Sequence, residues 1–315
     1  MRLLVTGGSG FLGGYVLAES ARRGHSCVAL ARTAAAARTV AARGATPLPG
    51  DLDDQSALAG IFAGAGCDAL LNLASLGFGH AQAIVGAAVG AGLDRAVFIS
   101  TTAVTTALPA RSTTVRLTAE RAIRASGLKW TILRPTMIYG APGDRNLSQL
   151  LKVLARAERT LDLGGLAIPL VLPVPGGGRR LQQPVHVADL AGAVLSAVER
   201  PETAGRCYDV AGPEPLTFAG LLRAAAAAVG CRVQLMPVPL APAIALTHGY
   251  ERLSRRPRIR AEQWARLAED KAFPIDSAAR DLAYAPRTFD EGIRAEARTL
   301  GLARHAPISL RGSHA

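Results

Sequence analysis

The sequence is poor in aromatic residues, 4% of its 315 positions, and has no block of like charges despite a formal net charge of +12. Scattered arginines without interleaved aromatic rings lack the stacking platform and charge stripe of nucleic-acid binding, so no nucleic-acid partner is expected. The basic balance suits small polyanionic ligands, or an arginine-rich solvated surface. Its four cysteines, Cys27, Cys67, Cys207 and Cys231, lie far apart and share no metal-ligand spacing. They read as small hydrophobes in a reducing compartment, and no metal is expected. Long apolar runs are missing too. The most apolar late stretch, Val233–Leu246, is interrupted by Pro237, Pro239 and Pro242 and is too short to span a bilayer. The chain opens directly on a strand pattern, Met1–Thr6, which leaves no room for an export leader, so a cytoplasmic location is expected.

What is abundant is aliphatic. Apolar residues make up 49% of the chain, carried by Ala, Leu and Val, as suits helices packed on a buried parallel sheet. The run Arg2–Val5 leads into Thr6-Gly7-Gly8-Ser9-Gly10-Phe11-Leu12-Gly13, and a helical pattern through Tyr15, Val16, Leu17 and Ala21 follows. Strand, glycine turn and helix in that order make a phosphate cradle. The turn needs unusual backbone angles, a pyrophosphate must approach bare backbone, and the helix must pack tightly on its strand. The second strand, Ser26–Leu30, ends in Ala31-Arg32-Thr33. An NAD site usually offers a carboxylate there to the ribose hydroxyls. Arg32 suits a 2′-phosphate in charge and fork geometry, which favours NADP(H) over NAD(H), with Arg38 as an assistant or a surface residue.

Further strands at Ala45–Leu48, Ala69–Ala74, Ala96–Ser100 and Trp130–Arg134 alternate with helices at Gln82–Ala91 and Thr114–Ala125. Such alternation specifies an α/β fold, a Rossmann doubly wound parallel sheet with right-handed crossovers, carrying a smaller C-terminal substrate lobe. The expected domains are residues 1–140 plus 185–213 for the dinucleotide, residues 141–184 plus 214–302 for the lobe, and a flexible tail from 303 to 315. Thr6–Gly13, Asp51-Leu52, Leu73-Ala74-Ser75, Phe98-Ile99-Ser100-Thr101-Thr102, Leu133-Arg134-Pro135, Ile138-Tyr139-Gly140 and Val185-His186-Val187-x-Asp189-Leu190 together are similar to the ordered landmarks of extended and atypical short-chain dehydrogenases/reductases. The resemblance is greatest to NAD-dependent epimerases/dehydratases and covers about residues 1 to 300. It implies that Asp51 and Leu52 flank the adenine, that Ala74 and Ser75 lie beside the cofactor ribose, and that Pro135 approaches the nicotinamide.

One landmark fails. The family carries a Tyr-x-x-x-Lys pair ahead of the helix that here runs through Glu120, and counting back places Ser112 and Arg116 at those positions. Tyrosine is absent between Tyr15 and Tyr139, so no realignment restores the pair. Ser112 cannot replace a phenol of lowered pKa unaided, and Arg116 can hold the ribose and a positive field but is a poor proton shuttle. Three readings stay open. Tyr139, His80 or His186 serves as substitute acid; hydroxyls at Thr102 and Ser112 act with water; or chemistry is lost and the protein is a silent NADP(H)-binding scaffold or sensor. Tyr139 has packing, and His186 bracing of the lobe, as the competing reading. In the lobe Arg145, Arg179 and Arg180 are candidates for a substrate diphosphate, with His80 and His186 as further substrate contacts, or they are solvated loop charges. The resemblance implies an oxidoreductase, epimerase or dehydratase acting on a nucleotide sugar or related carbonyl or carbinol, and it is compatible with a homodimer.

Overall fold

The computed structural model describes residues 1–105, 111–144, 146–163, 166–239, 247 and 269–303, so Arg145 and the tail beyond 303 lie outside the described residues. Two compact units emerge. The first comprises Met1–Ile138, Gln183–Pro215 and Lys271–Arg287, and the second Tyr139–Gln182, Leu216–Asp270 and Thr288–Ala315.

In chain order the first unit runs β1 (Arg2–Thr6), α1 (Phe11–Arg22), β2 (Ser26–Ala31), α2 (Ala34–Ala42), β3 (Thr46–Pro49), α3 (Gln55–Gly64), β4 (Ala69–Asn72), α4 (Ala81–Gly90), β5 (Arg95–Ile99), α5 (Arg111–Arg124) and β6 (Lys129–Pro135). With the strand Arg206–Val210 these six strands form one seven-stranded sheet ordered Arg206–Val210, β6, β5, β4, β1, β2, β3, in which every pairing is parallel. The pleat sorts the side chains. Leu3, Val5, Ala29, Leu71, Val97 and Leu133 enter one core with α1 and the helix Val187–Glu199, while Leu4, Val28, Leu70, Phe98 and Ile132 enter another with α3, α4 and α5. Each fully buried Leu or Phe contributes about 2 kcal/mol by removal from water. The strand order reverses between β1 and β4, so the connections leaving them diverge and open a crevice at their carboxyl ends.

Helix α5 is fastened to the ends of β5 and β6 by charge. Glu120, with no side-chain exposure, accepts from Ser100 Oγ at 2.6 Å, from Arg134 Nε at 2.9 Å and Nη2 at 2.5 Å, and from Arg124 Nη2 at 2.9 Å. Burial alone would raise its pKa. The hydrogen bonds from Arg134 and Ser100, backed by the charges of Arg134 and Arg124, outweigh burial and hold the carboxyl below the usual range.

The second unit packs the helices Leu147–Leu161, Phe218–Ala228 and Phe289–Thr299 with a parallel strand pair, Leu170–Pro175 and Val233–Val238. Phe289–Thr299 starts on a reciprocal cap in which Thr288 and Glu291 bond each other's backbone N–H. Among the described residues no helix is long and apolar enough to cross a membrane, and no cluster of His, Cys, Asp or Glu is arranged to hold a metal ion.

The expected boundary of the lobe shifts. Lys271–Arg287 belongs with the sheet unit, because Tyr284 Oη donates to Ala211 O at 2.7 Å, Phe273 N donates to Gln183 Oε1 at 2.7 Å, and Arg287 grips Asp189 at 2.8–3.0 Å. Removing Glu120 by Glu120→Ala strands Arg134 as a buried charge without its partner, and the expected cost is about 3 kcal/mol, read from the urea unfolding midpoint. An unchanged midpoint would show that the network carries no stability.

Candidate functional site

The loop between β1 and α1 is a cradle of bare backbone. Gly7 sits at φ +73°, and a Cβ there would lie 2.9 Å from Ala74 N and 3.0 Å from the Leu73 carbonyl carbon, so β4 closes on it directly. A Cβ at Gly13 would strike the carbonyl oxygens of Gly7 and Gly8. Gly10 N donates to Gly7 O at 3.0 Å, and Gly10 caps α1 with no side-chain hydrogen bond. The first-turn amides of α1 therefore carry no side-chain cap, and the helix dipole adds partial positive charge at the same point. Leu12 is buried and Phe11 packs edge-on against Tyr15 at 5.9 Å, so both serve through their backbone, while Ser9 is exposed at the turn. These residues fit a dinucleotide pyrophosphate.

At the end of β2, Arg32 lies 3.8 Å from Asp51 and 3.7 Å from Asp53. Asp53 also bonds His80 Nε2 at 2.8 Å. His80, expected among substrate contacts, is thereby placed in the acidic turn next to Arg32. Leu52 leans on the core between the two aspartates. Because Arg32 is 66% exposed, its ion pairs are worth at most about 1 kcal/mol and a phosphate can displace them.

At the end of β4, Thr6 Oγ1 donates to Asn72 Oδ1 at 2.6 Å and Asn72 Nδ2 donates to Ala74 O at 3.2 Å, fixing the path of Ala74 and Ser75. Ser75 Oγ accepts from Gly77 N at 3.2 Å. The Arg116 guanidinium lies over Gly77, where an added Cβ would be 3.1 Å from Nη2 and 3.3 Å from Ser75 Oγ. Arg116 thus stands beside Ser75, one helical turn beyond Ser112, whose carbonyl it bonds at 3.4 Å. Buried Thr102 donates to Pro135 O at 3.4 Å, which joins the ends of β5 and β6.

Two candidate acids are committed to structure. Tyr139 is 1% exposed, packs on Phe289 with ring centroids 5.3 Å apart, and presses its hydroxyl onto the Cα of Gly292, where a Cβ could not fit. His186 caps the helix Val187–Glu199, its Nδ1 accepting from Ala188 N at 3.2 Å. Burial, then the charge of Arg287, lowers its pKa to about 4 against the pull of Asp189, so near neutral pH it has no proton to give from a cationic ring. In the lobe, Arg180 is paired with Asp270 at 3.1 Å and Arg179 is exposed.

Sequence reasoning missed Arg43. It ends α2, and its Nη1 donates to Gly8 O at 2.8 Å and to Gly10 O at 2.9 Å. The only trace in the sequence is Gly14, beyond the motif, where a Cβ would lie 3.0 Å from Arg43 Cζ.

Residues 7–156 match the family model described as NAD(P)H-binding. The chain is 29% identical to a 4-hydroxy-2-methyl-3-oxo-4-farnesyl-3,4-dihydroquinoline-1-oxide ketoreductase of Stigmatella aurantiaca, over 94% of this chain and 95% of the relative. It is 28% identical to a 2-alkyl-3-oxoalkanoate reductase of Stenotrophomonas maltophilia, over 93% and 98%. Among solved structures, the UDP-glucose 4-epimerase of Thermus thermophilus in complex with NAD superposes with a TM-score of 0.69 at 21% identity, covering 96% of this chain and 99% of that one.

The His186 environment generates a pH dependence. A folded-state pKa of about 4 against 6.5 in the unfolded chain means that the unfolded state takes up the proton first as pH falls. Stability from this group is full above pH 6.5 and is lost toward pH 4, by about 3 kcal/mol. Glu296, pushed up to about 7 chiefly by burial, acts in the opposite sense between its folded and unfolded values. The expected result in urea melts across this range is that His186→Asn, which keeps a capping acceptor, removes the acid-side loss; an identical pH profile would refute the assignment.

Proposed function

We propose that this chain, an NAD(P)H-binding protein with the fold of the NAD-dependent epimerase/dehydratase group of extended short-chain dehydrogenases/reductases, is an NADP(H)-dependent ketoreductase. The observation that carries the reading is the shared neighbourhood of the glycine cradle, Ser75 and Arg116, with Thr102 and Pro135 at the adjoining strand ends. The cofactor supplies hydride when bound, and the rest falls to the chain. Gly7–Gly13 hold the pyrophosphate, Asp51 and Leu52 border the adenine, Arg32 receives the 2′-phosphate, and Arg116 with Ser75 binds the nicotinamide ribose.

Without a phenol, charge developing on the substrate oxygen is met by the Arg116 guanidinium and by the Thr102 hydroxyl once it turns from Pro135 O. The proton arrives through Ser112 and water. Arg116 stays protonated throughout, so it stabilises charge and does not relay the proton. Both nearly full-length relatives carry in their names a ketone next to an alkyl-bearing carbon. Arg180, a candidate for a substrate diphosphate, is paired with Asp270. An alkyl-substituted ketone is therefore the favoured substrate class over a nucleotide sugar.

The test follows nicotinamide absorbance with a panel of 2-alkyl-3-oxo acids and cyclic ketones beside UDP-hexoses. Ketone-dependent oxidation of NADPH is expected, with kcat reduced about a hundredfold in Thr102→Ala. Epimerisation of a UDP-hexose without net cofactor consumption would overturn the reading, and tight NADPH binding with no turnover of any substrate would establish the silent scaffold instead. For cofactor choice, Arg32→Ala is expected to weaken NADPH about tenfold with little change for NADH, and Asp53→Asn to strengthen NADPH, both by calorimetry.

A further inference from the structure

A trans peptide group points its carbonyl and its N–H in opposite directions. The carbonyls of Gly8 and Gly10, both held by Arg43 Nη1, belong to the same peptide groups as the N–H of Ser9 and the N–H of Phe11. Those two donors therefore face away from the guanidinium. Phe11 is the first residue of α1, so its N–H is among the amides that the helix leaves without an internal partner. Among the described residues no carboxylate forms an ion pair with Arg43, and its charge is directed at the loop.

We propose that Arg43 is a positioning residue for the dinucleotide: from behind the glycine loop it fixes and polarises the Gly8–Ser9 and Gly10–Phe11 peptide groups so that their N–H ends meet the pyrophosphate. The inference rests on the cofactor reading above and adds to it a residue that does not touch the ligand. Two physical effects combine. One guanidinium nitrogen shared by two carbonyls, anchored at the end of α2, makes a flexible, glycine-rich turn hold one conformation before ligand arrives, which reduces the ordering cost of binding. A cation bonded to a peptide carbonyl also polarises that group and strengthens its N–H as a donor. Gly14 completes the device. The guanidinium lies across its Cα, and a Cβ would lie 3.0 Å from Cζ and 3.2 Å from Nε and Nη2, so a side chain at Gly14 would press the guanidinium away by a few tenths of an ångström.

Calorimetry on the full chain separates this role from direct contact and from general stabilisation. The ligands are NADPH, NADH and ADP-ribose, which carry the pyrophosphate, and adenosine 2′-monophosphate, which does not. Arg43→Gln is expected to weaken the three pyrophosphate ligands about tenfold and to leave adenosine 2′-monophosphate unchanged, with Arg43→Lys intermediate because the shorter side chain keeps the charge but not the reach of Nη1 to both carbonyls. Gly14→Ala is expected to reproduce the pattern, and the double variant to lose less than the sum of the two losses, since both act through one contact. Equal weakening of all four ligands, or loss confined to the 2′-phosphate ligands, would overturn the proposal, as would undiminished NADPH binding by Arg43→Gln. Failure of the unaltered protein to bind any dinucleotide would instead overturn the cofactor reading itself.

Discussion

The architecture of the first unit depends on the approach of backbone to backbone at the turn after β1. Gly7 meets the chain leaving β4, and Gly13 brings α1 down onto the carbonyls of Gly7 and Gly8. No side chain fits in either gap, so the turn, the start of the helix and the reversal of strand order coincide at one point. The carboxyl ends of β1 and β4 then form a floor of peptide dipoles. Arg43 below that floor and Arg32 and Arg116 at its margins supply the charge that the small-residue turn lacks.

The second constraint is the ion-pair network of Glu120. Ser100, Arg134 and Arg124 converge on one buried carboxylate and so fix α5 against β5 and β6. Arg116 is one turn earlier on that helix and Thr102 follows the same strand as Ser100.

Much of this was legible in order along the chain. The glycine spacing and the alternation of aliphatic strands with alanine-rich helices placed the fold and the glycine turn after β1 without any coordinates. The strand ends proved to be shifted by up to two residues, as at Ala69–Asn72 against the expected Ala69–Ala74, because hydrogen bonding to neighbours, not hydropathy, decides the boundary. Lys271–Arg287 read as lobe because nothing in it is periodic with the sheet; Arg287 and Tyr284 find their partners Asp189 and Ala211 only through contacts distant in sequence.

The sequence by itself determined local conformation: glycine where φ must be positive or a Cβ cannot fit, aliphatic strands where both faces are covered, and threonine or aspartate where a helix begins. What only the tertiary structure decided was the use of each polar side chain. Tyr139 and His186 had the right chemistry for proton transfer and were committed to packing and capping, His80 went to Asp53, and Arg43, indistinguishable from any helix-terminal arginine, reached the glycine loop. The physical reason is range. Backbone preference is set within a few residues, whereas a hydrogen bond or ion pair depends on which distant segments the packing of the core brings within about 3 Å of one another.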